Sequence, residues 1–300
     1  MKAICVGHST FDTTLPMDHY PVENIKYRIE HHIECGGGPA SNGAYLLAKW
    51  GYDTTIASVI GDDYYADRII KDFTNIGANT KYLEKREGHK TSSSYIIANV
   101  SNGSRTILSS KKQPPIRKLT ETITEKADVI LVDGEHPETA HEVLDNNKDA
   151  ISVIDAGRLN DDTRALGKKV TYLVCSKDFA EEFSNKKIDI TNIDLLKEIY
   201  EELKAYFNTN VIITLEANGS FTEINGVYKI IPSIKVKAID STGAGDIFHG
   251  AFTYFIGMNY PLEEAIRLAS ITGAISVTRI GSRFSIPKLE EVLDYANSIQ

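Results

Sequence analysis

"DVILVDGEHPETAHEVLDNNKDAISVID", Asp128–Asp155, decides the fold. It opens on an apolar run, Val129–Val132, with no polar alternation. A helix-like stretch follows, "PETAHEVLDNN" from Pro137, and a second apolar run begins at Ala150. A strand that is apolar throughout has to be buried on both faces. Two such strands joined by a helix lie parallel, because a parallel return needs a long crossover. The unit repeats downstream: "DDTRALGKK" leads to "VTYLVC" (Val170–Cys175), and "IDLLKEIYEELKAYF" leads to "NVIITL" (Asn210–Leu215). Upstream, "KAICVG" and "TTIASVIG" read as strands, "ASNGAYLLAKWG" and "YADRIIKDFTNIG" as helices. The last third reads as three helices, "GDIFHGAFTYFIG", "PLEEAIRLASITGAISV" and "IPKLEEVLDYANSI". These patterns predict an α/β chain, residues 1–300 as a single domain, with a mostly parallel sheet covered by helices on both faces.

A second pattern interrupts the first. "FDTTLPM", "YRIEHHIEC", "SSSYIIANV" and "SRTILS" alternate, with the turn "SNGS" between the last two. They predict antiparallel strands from two insertions, at about 11–35 and 91–109, forming a small sheet over one edge of the core. A linker-like stretch, Ser109–Lys118, closes this region. "SSSYIIANV" carries apolar groups on both faces, which one core cannot cover alone; a homodimer through this sheet is expected.

Composition narrows the function. A formal charge of −8 on 300 residues argues against a general nucleic-acid or acidic-membrane partner. Cys5, Cys35 and Cys175 are scattered and form no CxxC pair, which reads as idle thiols in a reducing compartment. The apolar start is too short for a signal peptide, and no run approaches the roughly 20 residues of a membrane span. A cytoplasmic location with no membrane partner is expected.

The chemistry concentrates in "AIDSTGAGDIFHGAF", Ala238–Phe252. A strand-like "SIKVKAI" runs into Gly243, Ala244 and Gly245, and a helix follows. The first amides of a helix lack internal partners and favour an anion. Small residues let the anion approach, and Asp246 falls in the first turn beside it, placed as a general base. A glycine-rich turn that merely starts a helix is the competing reading.

"DSTGAGDIFHGAF" resembles the C-terminal signature of the ribokinase-like (PfkB) carbohydrate kinases. "GGGPASNGAYLLAKWG", Gly36–Gly51, resembles that family's N-terminal Gly-Gly motif, and "GDD" at 61–63, Asp12, and Thr214-Leu215 with Gly219 match further elements. The resemblance spans essentially the whole chain. "SNGSRTI" (Ser101–Ile107) and Cys175–Ala180 are most similar to ketohexokinases; "GGGPA", "DIFHGA" and Gly281–Pro287 are similar to sulfofructose kinases. The resemblance implies a ribokinase-like three-layer αβα core with a small β-sheet lid, and an ATP-dependent sugar kinase.

It also implies roles. Asp246 is the catalytic base, and Gly243, Ala244 and Gly245 form the anion hole. Asp12, Gly38 and Asn42 bind sugar hydroxyls, a task that suits a carboxylate and an amide, although Asn42 can also be read as a helix cap. Arg105, Thr214 and Gly219 bind ATP; on the residues alone, Arg105 also reads as a surface charge on an edge strand. Pro39 and Glu216 depart from the usual pattern. Mg2+ is implied by phosphoryl transfer, but "CSKDFAEE" lacks the family's Asn-x-x-Glu element in register, so no metal ligand is assigned. A monovalent cation such as K+ is a further possibility around Asp240 and Arg279–Gly281. His31, His32, His89, His136, His141 and His249 show no metal spacing and read as surface or packing residues, with one or two near the sugar.

The stretch after "VILVD" carries Glu135 and no basic residue, which predicts a small neutral sugar, a ketohexose such as fructose, phosphorylated on a primary hydroxyl. Lys90 or Lys111–Lys112 reaching in would admit a sugar phosphate or other acidic sugar. Phe11 and Tyr27 could clamp the base of a nucleoside. Two rivals stand outside the kinases: a dinucleotide enzyme, although "GGGPAS" ends in Ser41 where a glycine is wanted, and a non-catalytic sugar sensor of the same fold.

Overall fold

The computed structural model of the chain describes residues 1–110 and 115–299. Lys111 and Lys112 of the expected linker lie outside the described residues. In chain order the strands are β1 (Lys2–Val6), β2 (Thr10–Met17), β3 (Ile33–Gly37), β4 (Asp53–Ile60), β5 (Asn79–Lys85), β6 (Ser92–Asn99), β7 (Ser104–Ser110), β8 (Val129–Val132), β9 (Ile151–Ala156), β10 (Tyr172–Ser176), β11 (Asn210–Thr214), β12 (Ser220–Ile224) and β13 (Val227–Ile231). The helices are α1 (Pro39–Lys49), α2 (Tyr64–Asn75), α3 (Pro137–Asn146), α4 (Asp161–Gly167), α5 (Lys177–Ser184), α6 (Ile193–Phe207), α7 (Ala244–Gly257), α8 (Leu262–Ser276) and α9 (Leu289–Ser298).

One sheet has nine strands in the order β13-β12-β11-β10-β9-β8-β1-β4-β5. From β11 to β5 every neighbouring pair is parallel. All four side chains of β8 are buried, as its unbroken apolar run predicts. Successive residues of β1 serve opposite layers. Ala3 and Cys5 join the core under α1, α2, α7, α8 and α9, whereas Ile4 and Val6 join the core under α3 to α6. In α6 the buried residues Leu196, Ile199, Tyr200, Leu203 and Phe207 form one stripe. In α7, residues 247–257 are all buried, because that helix lies beneath α1 and α8. Among the described residues no helix is long and apolar enough to cross a membrane.

The second sheet has four strands in the order β3-β2-β6-β7. The strand assignments correct three expectations. The β2–β6 pair is parallel, not antiparallel, because the two insertions enter it from the same end of the core. Residues 27–32 of "YRIEHHIEC" are not strand; pairing begins at Ile33. "SIKVKAI" before the glycine loop forms no strand. The strand material instead lies just upstream, in a β12–β13 hairpin turned by Asn225 and Gly226 with φ of 52° and 81°. "EINGVY" held that signal, since Asn-Gly tolerates both positive φ angles.

Candidate active site

The site forms where the sheet changes direction. Strand β1 pairs with β4 on one side and β8 on the other, so the chain leaves it both ways. Open α/β sheets bind ligands at the carboxyl ends of such strands. Here Asp133, just after β8, ties the crevice together. Its carboxylate accepts from His8 N (2.8 Å), Ala40 N (3.0 Å) and Glu135 N (3.0 Å). Burial still pushes its carboxyl up to about 7 against those three bonds.

Each glycine of the "GGG" stretch meets a different neighbour. A Cβ on Gly36 would lie 2.1 Å from Arg283 Nη1, on Gly37 2.0 Å from Asp12 Oδ2, and on Gly38 2.3 Å from the His8 carbonyl oxygen. Gly38 also has φ of 99° where it starts α1, a conformation side chains rarely adopt. The stretch therefore lets α1 begin against both the sheet and the lid strand that carries Asp12.

Helix α1 then crosses α7 through glycines. A Cβ on Gly250 would stand 2.8 Å from Gly43 Cα. This close crossing brings Asn42 to Asp246 across 204 residues of sequence, with Asn42 Nδ2 donating to Asp246 Oδ2 at 2.7 Å. Asn42 Oδ1 is buried and has no partner among the described residues.

At the start of α7, Gly243 takes φ of 73°. The Ala244 amide turns back on the Ser241 carbonyl (3.4 Å), and Ile247 makes the first regular helical bond, to Gly243 O (2.9 Å). The Gly245 and Asp246 amides precede that bond and point out of the helix. A Cβ on Gly245 would meet nothing within 4 Å, so the helix start is open on that side.

Asp12 is buried on the lid's inner face. Burial first, then the charge of Asp246, pushes its carboxyl up to about 7; Arg283 and the hydroxyls of Ser94 and Ser282 pull the other way. Arg105 reaches from lid strand β7 to the glycine loop, donating to Ser241 Oγ at 2.8 Å, while Ser241 N donates to Gly103 O (3.1 Å). Thr214 and Gly219 stand apart from the Asn42–Asp246 contact, at the carboxyl end of β11, two strands beyond β9. Asp240 has both carboxylate oxygens occupied by amides, from Thr242 (2.9 Å) and Gly281 (2.8 Å). Neither aromatic proposed to clamp a base stands open. Phe11 stacks on Tyr65 at 4.6 Å, and Tyr27 Oη accepts from Val22 N in the outer loop.

A cavity of about 540 Å³ is lined by His8, Glu135 and His136 from the core and by Lys90, Thr91 and Tyr95 from the segment of the small sheet. Glu135 and Lys90 thus share one space. Asp63 of "GDD" is a structural member: it caps α2 and accepts from Thr91 N (2.9 Å) and Oγ1 (2.7 Å), tying lid to core.

Sequence reasoning missed two groups. Arg283, only 2% exposed, donates to Ser41 Oγ (2.8 Å) and Asp72 Oδ2 (3.3 Å), with its guanidinium against the rings of Tyr45 and Phe73. Asp72 also accepts from Gly36 N (3.2 Å), so the pair ties α2 and the loop after α8 to the start of the small sheet at β3. A lone arginine in "GSRFSIP" gave no sign of that burial. His249, read as packing, forms a buried pair with Asp155 behind the glycine loop.

A magnesium ion carried on nucleotide phosphates needs few protein oxygens. Among the described residues no three His, Cys, Asp or Glu side chains gather to hold a metal. The described residues offer no such ligand cluster, and no step below is routed through the metal.

Fold and site together define a phosphotransferase of the ribokinase-like α/β type, with a large mostly parallel sheet and a smaller lid sheet. The chain belongs to the pfkB family of carbohydrate kinases, whose signature matches residues 2–289. It is 27% identical to the ribokinase of Staphylococcus aureus, over 97% of this chain and 98% of that one. It is 25% identical to the deoxyribokinase of Salmonella typhi, over 95% and 94% of the two chains. The ribokinase of Arabidopsis thaliana, solved with ribose and ATP, superposes with a TM-score of 0.77 at 18% identity, over 98% and 97% of the chains. These relatives are named for ribose and deoxyribose, not for the ketohexoses to which single stretches of the sequence pointed.

Proposed function

We propose that the protein transfers the γ-phosphate of ATP to a primary hydroxyl of a small neutral sugar. The observation that carries this reading is the 2.7 Å bond between Asn42 and Asp246, which joins a sugar-binding amide to a carboxylate at a helix start. Asp12, Gly38 and Asn42 grip the sugar, and the unpartnered Asn42 Oδ1 accepts one of its hydroxyls. Asp246 takes the proton of the attacking hydroxyl. The amides of Gly245 and Asp246 hold the charge that develops on the phosphoryl oxygens. Arg105, bonded to Ser241 beside the loop, neutralises the nucleotide phosphates from the lid side. The nucleotide runs outward along the carboxyl edge toward Thr214 and Gly219.

Among neutral sugars we favour a ketohexose such as fructose, with the aldopentoses ribose and deoxyribose, the sugars that name the relatives, as its competitors. A second reading, a sugar bearing an acidic group, is favoured by Lys90, His8 and His89 lining the same cavity as Glu135. ADP release measured across fructose, ribose, deoxyribose, sugar phosphates, sugar acids and nucleosides separates these. The highest kcat/KM for fructose supports the finer reading, and the highest for an aldopentose replaces it. A sugar phosphate or acid winning overturns the neutral substrate. Sugar binding with no ADP release would make the protein a sensor.

A further inference from the structure

A buried ionisable pair sits behind the anion hole, and the chemistry described so far does not use it. His249 lies one turn into α7, and Asp155 is on β9. Their side chains are 5% and 7% exposed, and His249 Nδ1 stands 3.1 Å from Asp155 Oδ2. The same nitrogen is 2.6 Å from the carbonyl oxygen of Gly245, and Nε2 is 3.1 Å from the carbonyl oxygen of Val174. Both ring nitrogens therefore face oxygen acceptors. A neutral imidazole has one N–H and one lone pair, and would set that lone pair against an oxygen. An imidazolium would donate at both positions, with the Asp155 carboxylate beside it to balance the charge. Asp246, one turn earlier on the same helix, also acts on the Asp155 carboxyl. Burial raises the Asp155 carboxyl to about 6, His249 pulls it down and Asp246 pushes it up.

The Gly245 carbonyl belongs to the peptide that carries the Asp246 N–H. A hydrogen bond to a peptide oxygen draws density from its nitrogen and makes the N–H a better donor. A cation under the first turn also adds to the positive end of the helix. A buried ion pair rarely stabilises a fold more than apolar packing would, so its presence under this one peptide points to the anion. We propose that His249, held by Asp155, is a positioning residue for the anion hole: it bonds the Gly245 carbonyl and polarises the Gly245–Asp246 peptide toward the transferring phosphoryl group. This rests on the kinase reading above.

The test compares His249→Asn, Asp155→Asn and the double variant with the wild type. Three quantities are read: melting temperature, kinetics with the best sugar of the panel, and the Kd of inorganic phosphate by calorimetry in the presence of ADP. Each single variant is expected to lower kcat and weaken phosphate binding by about tenfold, with both KM values within threefold. The double variant is expected to be no worse than either single one, because each removes the same imidazolium. Asn at 249 retains a neutral donor, so a variant that melts normally but binds phosphate weakly isolates the charge. Unchanged phosphate Kd and kcat in folded variants overturn the proposal. So does a double variant whose losses multiply, or a loss confined to stability and sugar KM. If no sugar releases ADP, the kinase reading fails, while the phosphate Kd still decides the role of His249. If a variant does not fold, the other single variant decides by the same two readings.

Discussion

In the proposed mechanism Asp246 removes a proton, and the bond from Asn42 Nδ2 to its carboxylate holds it in place for that act. Asp246→Asn keeps the shape and can keep the contact with Asn42, but it cannot take a proton. We predict that turnover falls by about 10²–10⁴-fold while sugar and ATP KM stay within several-fold. A folded variant with near-normal turnover in the ADP assay would sink the role. Asp12 carries a pH dependence of calculable sign. Only its ionised form accepts two hydroxyls, and its carboxyl is pushed up to about 7. Sugar kcat/KM should therefore climb from about pH 6 to about pH 8 and then level. Stability runs the other way: an acid raised on folding binds its proton more tightly in the native state, so its contribution to the fold declines as pH rises toward that value. Asp12→Asn should flatten the activity limb. If the limb survives that substitution, another group, with Asp133 foremost, sets it.

At the scale of elements, the site depends on how closely α1 and α7 pass. The crossing has no side chain between Gly43 and Gly250, and a Cβ on Gly250 meets backbone, which cannot rotate away. Gly250→Ala should separate the helices, cost about 1–3 kcal/mol, and lower kcat by lengthening the Asn42–Asp246 bond. Urea unfolding and turnover check both effects, and stability unchanged from wild type would show that the crossing has slack. The Asp72–Arg283 pair belongs to this scale as well, since it binds α2, the loop after α8 and the backbone of β3.

At the scale of the molecule, the lid sheet is only half covered. Ser94, Ile96 and Ala98 are buried against the core, whereas Tyr95 and its cross-strand partner Leu108 are 48% and 56% exposed. Strand β7 is also an open edge with almost every residue exposed. An apolar outer face beside an unpaired edge asks for a partner, and a second copy supplies a matching one. We predict a dimer at micromolar concentration by light scattering, and a shift to monomer in Leu108→Glu. A wild-type mass near the 33.2 kDa of one chain would refute it.

The sequence by itself determined what is local. Apolar runs such as Val129–Val132 can be satisfied only inside a covered sheet, and the stripe of α6 fixes which side of that helix faces the core. It also determined the residue types of the site, because "DSTGAG" can begin a helix but cannot fill the space above it. The tertiary structure alone decided what depends on distance between remote segments. The parallel β2–β6 pairing follows from where two insertions leave the core, and no alternation of letters records that. Nothing in "GSRFSIP" marked Arg283 for burial; Asp72, Ser41, Tyr45 and Phe73 close around it only in the fold. His249 looked like packing until Asp155, from a strand 94 positions earlier, met its ring. Burial and pairing change the charge a side chain can hold, and both are properties of the assembled fold, not of the residue.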